Sequence, residues 1–69
     1  MSDRQEWVYD TLGREYWAMH RGWRVAVRES LIGWLWAITR GGVGAGGVES
    51  NRPEAEAAAL AAVDMRMGP

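Results

Sequence analysis

The chain has 69 residues with eight basic and nine acidic side chains, one histidine and no cysteine, for a formal net charge of −1. That length allows one small domain, and the missing cysteines exclude a disulfide framework and a thiolate metal site. The charge balance sets the chain apart from typical nucleic-acid binders, which carry a clear basic excess. Every basic residue is arginine, and alanine, glycine and tryptophan abound. This bias fits GC-rich coding, as in a high-GC bacterium or its phage.

In chain order, Ser2 and Gln5 have the spacing of a capping box, with Asp3 and Glu6 placed in the first turn where a helix favours negative charge. No proline follows until residue 53, and Gly41-Gly42 is a natural stop. The reading is therefore all-α. One long amphipathic helix occupies residues 1–40, a Gly-rich linker residues 41–52, and a short Ala-rich helix residues 53–69, joined as a helical hairpin or an extended two-helix subunit. At about 100° per residue, Tyr9, Leu12, Tyr16, Met19, Trp23, Val27, Leu31, Trp34 and Ile38 fall on one apolar face, the candidate partner interface. Ala18, Gly22, Ala26, Ser30, Gly33 and Ala37, continued by Gly41, form a flank of small side chains. Such a flank lets a second helix backbone approach closely.

The glycines at 42, 44 and 47 match the form G-x-G-x-x-G, but no strand is expected before them and no helix opens on the last one. A nucleotide site is set aside and a plain linker preferred. Asn51 and Glu54 then cap a run of high helix propensity, with Pro53 in its first turn.

No catalytic constellation is expected, and no cofactor or metal site. His20 has no carboxylate or imidazole one helical turn away. Arg21, Arg24 and Arg28 lie on one stripe of the expected helix, where they would face water, an acidic protein surface or anionic lipid. Five tryptophans exceed what a two-helix hairpin buries, and Trp and Arg are enriched at binding hot spots. The sequence thus points to a non-enzymatic structural or adaptor subunit packing its Trp-rich helix into a larger assembly. A homo-oligomeric bundle, a component of a phage particle and a minor subunit of a complex all fit. The alternative is a peripheral amphipathic helix at a membrane interface, since "LIGWLWAI" falls short of the roughly 20 residues needed to span a bilayer. Expected partners are a protein or further copies, with a membrane surface second, nucleic acid disfavoured and no small-molecule substrate. The start shows no signal-peptide pattern, which places the chain in the cytoplasm or within an assembled particle, peripheral to a membrane in the alternative.

Overall fold

The computed structural model describes residues 6–68, and it is not all-α. Five strands, β1 (Val8–Asp10), β2 (Glu15–His20), β3 (Trp23–Ser30), β4 (Gly33–Arg40) and β5 (Val43–Glu49), precede one helix, α1 (Arg52–Met67). The strands form an antiparallel meander in the order β1-β2-β3-β4-β5, each paired with its neighbours in sequence. The long helix over residues 1–40 and the helical hairpin are thereby overturned. The capping box at Ser2 and Gln5 lies outside the described residues.

Turn chemistry decides between the two readings. Arg21 and Gly22 both have positive φ, 53° and 85°, and Gly41 and Gly42 repeat the pattern at 54° and 84°. Two consecutive residues of this kind make the tight turn whose twist matches the flanking strands. They close His20 onto Trp23 and Arg40 onto Val43. A right-handed helix permits none of these values. Between the turns the residues alternate. Trp23, Val25 and Val27 are buried with period two, which is the period of a strand.

The stretch expected to be a linker is largely β5, and its glycines have steric reasons. A Cβ at Gly46 would stand 2.7 Å from the Trp36 carbonyl oxygen, and one at Gly44 2.8 Å from that of Ile38. On the other face, a Cβ at Gly47 would meet the Trp36 indole at 2.8 Å, so the ring lies flat across the bare backbone. The G-x-G-x-x-G pattern records close packing along an edge strand.

The helix has the cap its sequence suggests. Glu54 N donates to Asn51 Oδ1 at 3.0 Å, and Pro53 sits in the first turn, where its missing N–H is not needed. Ala55, Ala59 and Val63, spaced by four, make the buried stripe. Ala59 and Val63 rest on Ala18, Trp23, Val25 and Ile38 of the sheet, with Trp7, Trp36 and Ala45 at the margin. This is the core, and it lies on one side of the sheet only. No helix among the described residues is long and apolar enough to cross a membrane.

Because Ala59 is fully buried between helix and sheet, Ala59→Leu forces the two layers apart and should lower unfolding free energy in urea by about 1–3 kcal/mol. Ala61→Leu, on the exposed side of the same helix, should change it by less than about 0.5 kcal/mol.

Candidate functional site

Since side chains alternate along each strand, the core fixes which residues face away from the helix. Register places Trp17, Ala26, Ala37 and Gly46 in one row across four strands, all on the open face. Small residues in that row make the floor of a groove of about 470 Å³, walled by Leu35 and Val48 on one side and bordered by Glu15 and Arg28. Arg24 runs along the same face. Its Nη2 donates to Glu15 Oε2 at 2.7 Å, and its guanidinium lies 5.3 Å from the centre of the Trp17 ring. The pair fixes Trp17 beside Ala26, which is buried although no helix covers it. Val8, Met19 and Val48 on this face are about half exposed.

A second cleft, of about 620 Å³, lies at the end of the sheet bearing the β1–β2 and β3–β4 turns. Tyr9, Tyr16 and Trp34 line it together with Arg14, Arg28 and Glu29. These aromatics are on the helix side, beyond the point where α1 begins. The Tyr9 and Tyr16 rings meet at 4.8 Å, tilted by 56°. Arg52, held by Glu56, places its guanidinium 3.6 Å from the Tyr16 ring centre. Leu12, Leu31 and Ile32 project from the two turns into solvent.

At the opposite end, His20 and Arg21 hold the last turns of the helix. His20 Nε2 lies 2.9 Å from Asp64 Oδ1, Arg21 Nη1 donates to the same oxygen at 3.1 Å, and Arg21 Nη2 reaches the Gly68 carbonyl oxygen at 3.4 Å. Hydrogen bonds from His20 and then Arg21 lower the Asp64 pKa below its ordinary 3.8. Among the described residues, no three His, Cys, Asp or Glu converge as a metal site would require.

The residues singled out from the sequence are scattered by this fold. Of the expected apolar face, Trp23, Val27 and Ile38 are buried in the sheet, Tyr9, Tyr16 and Trp34 line the end cleft, Met19 is on the open face, and Leu12 and Leu31 are turn residues. The small flank divides likewise. Ala18 is in the core, Ala26 and Ala37 floor the groove, Gly22 is in a turn, and Ser30 and Gly33 bracket another. The single arginine stripe does not exist, since Arg21 faces the helix end while Arg24 and Arg28 lie on the open face. Sequence reasoning passed over Trp17, Leu35 and Val48, which a period-two reading would have placed beside Ala26 and Ala37. Comparison with family models, with curated proteins and with solved structures finds no match.

Asp64 links acidity to stability. A carboxylate whose folded-state pKa is lowered stabilises the fold above its ordinary titration range and ceases to do so as pH falls through its folded-state value. Melting temperature should therefore fall less steeply below about pH 4 in Asp64→Asn than in the wild type. Parallel acid limbs in the two proteins would refute a role for this contact.

Proposed function

We propose that the protein is a small non-enzymatic assembly subunit whose working surface is the open face of the sheet, and that a second copy of the same chain covers it. The observation that carries this reading is the face itself. Trp17, Ala26, Leu35, Ala37 and Val48 make it apolar, and the small side chains of Ala26 and Ala37 beside Leu35 and Val48 leave a groove that admits another molecule's side chains. These side chains carry no group that donates or accepts protons in a reaction, and the ion pair beside them, Arg24 with Glu15, is already made.

Charge favours a copy of the chain over a polyanion. The strand residues of this face include Asp10 and Glu15 against Arg24 and Arg28, a balance of zero. A face with both signs can pair with itself about a two-fold axis, as isologous dimers do. Nucleic acid calls for a one-signed surface. Area is consistent as well. The face spans roughly 20 by 25 Å, so two copies face to face would cover on the order of 1,000 Å² in total, near the lower bound for a specific interface. An amphipathic membrane helix is no longer available as an alternative, because "LIGWLWAI" is a turn followed by most of β4.

Ala37 is exposed at the centre of the face and touches none of the helix-side core. Sedimentation equilibrium from micromolar to millimolar protein should find a dimer for the wild type and a monomer for Ala37→Arg, with the same circular dichroism for both. A wild type that stays monomeric throughout, or an Ala37→Arg protein that still dimerises, would refute the proposal.

A further inference from the structure

Among the described residues two arginines stand at positive φ, Arg14 and Arg21, both at 53°. Side chains other than glycine and asparagine rarely occupy that region. Arg21 has a visible use there, since its guanidinium bonds the Asp64 carboxylate and the Gly68 carbonyl and so holds the end of α1. Arg14 has none within the fold. Among the described residues its guanidinium makes no hydrogen bond or ion pair, and it projects instead onto the end cleft. Arg28 lines the same cleft and is equally unengaged. The other described arginines, Arg21, Arg24, Arg40, Arg52 and Arg66, each find a carboxylate, a carbonyl, a thioether or an aromatic ring.

Aromatic rings make much of the rest of the cleft. Tyr9 and Tyr16 hold each other at 4.8 Å, Arg52 covers the outer side of Tyr16, and Trp34 forms a further wall. Its volume of about 620 Å³ lies within the range of small-molecule sites, and a few polar groups converging on apolar walls is the arrangement such sites share. Glu29 adds one negative charge to two positive ones. A net charge of +1 suits a single carboxylate and disfavours a polyphosphate. A guanidinium is also the cation whose planar fork matches a carboxylate.

We propose that this cleft binds a carboxylate carried on a flat apolar group, with Arg14 and Arg28 on the carboxylate and Tyr9, Tyr16 and Trp34 against the ring. Such chemistry can come from a free aromatic acid or from a polypeptide chain ending in an aromatic residue. The site is separate from the groove that a second copy would cover, sharing with it only Arg28 at the border.

The test is a titration of the isotopically labelled protein, followed by amide and indole NMR, with N-acetyl-tryptophan and with its neutral amide. The acid should move the signals of Arg14, Glu29 and Trp34, and the amide should bind at least about tenfold more weakly, since it lacks the charge that the guanidinium groups recognise. Arg14→Gly removes the guanidinium while relieving the positive-φ backbone, so it should fold at least as well as the wild type and lose about tenfold in affinity for the acid. Acetyl-Gly-Gly-Trp with a free carboxylate binding more tightly than N-acetyl-tryptophan would identify a chain end as the source. Equal binding would identify the small acid, and either outcome sustains the proposal. Equal affinity for acid and amide, full binding by Arg14→Gly, or no shifts in the cleft at the highest soluble concentration would each overturn it. Because Arg14 does not line the groove, sedimentation of Arg14→Gly separates failure here from failure of the dimer.

Discussion

The structure depends on one contact, the seating of Ala59 and Val63 on Ala18, Val25 and Ile38. Small side chains on both surfaces let the helix axis come close to the sheet, and close approach compensates for the modest apolar area that each residue contributes. Among the described residues there is one helix, and it covers one face of the sheet. The open face and the uncovered end beyond the start of α1 are consequences of that arrangement. Both candidate surfaces lie where the helix does not reach.

The helix is held at its two ends by side chains that reach across from β2 and the turn after it. Near its start, Arg52 stacks on Tyr16, and near its end, Asp64 takes bonds from His20 and Arg21. Tyr16 and His20 point to the same side of one strand, four residues apart, so they set the direction of the helix over the sheet. These contacts are largely exposed, and exposed ion pairs contribute little stability. Their effect is on orientation, and orientation decides how much of the aromatic cluster stays uncovered.

The capped, Ala-rich segment after Asn51 could be read from the sequence, because helix propensity and a cap are local properties. The sheet could not be read in the same way, and the reason is a coincidence of periods. Steps of four residues keep a side chain on one face of a helix and also, being even, on one face of a strand. Trp23 and Val27 within β3 therefore satisfy both patterns, whereas Ala18 and Ala26 straddle a turn and end on opposite faces of the sheet. What separates them is the intermediate position. Val25 completes Trp23 and Val27 as a strand face, whereas on a helix it points elsewhere. The glycines at 13, 22, 33 and 41–42 punctuate the chain at intervals of about ten residues, which is the spacing of a meander. Read as interruptions of a helix, Gly13, Gly22 and Gly33 each carried a cost of about 1 kcal/mol, set against the close helix packing that a small flank allows; in the sheet they stand at or beside turns.

The candidate surfaces were less legible still, because both join residues that only the strand register brings together. Trp17, Ala26, Ala37 and Gly46 are separated by nine to eleven residues in sequence and form one row in space. Arg14 and Arg28 are fourteen residues apart and share one cleft. On a helix these pairs would have no common neighbour, and a search for ligands one turn apart necessarily misses them. The two surfaces also differ in what they ask of a partner. The groove is broad, shallow and balanced in charge, which suits another protein surface with the same balance. The end cleft is lined by aromatic rings, and the guanidinium groups of Arg14 and Arg28 there have no partner among the described residues, which suits a small ligand that carries a negative charge. Arg28 stands between them, so a second copy seated on the groove would limit the directions in which that side chain can turn, and occupancy of one surface would be felt at the other through this single residue.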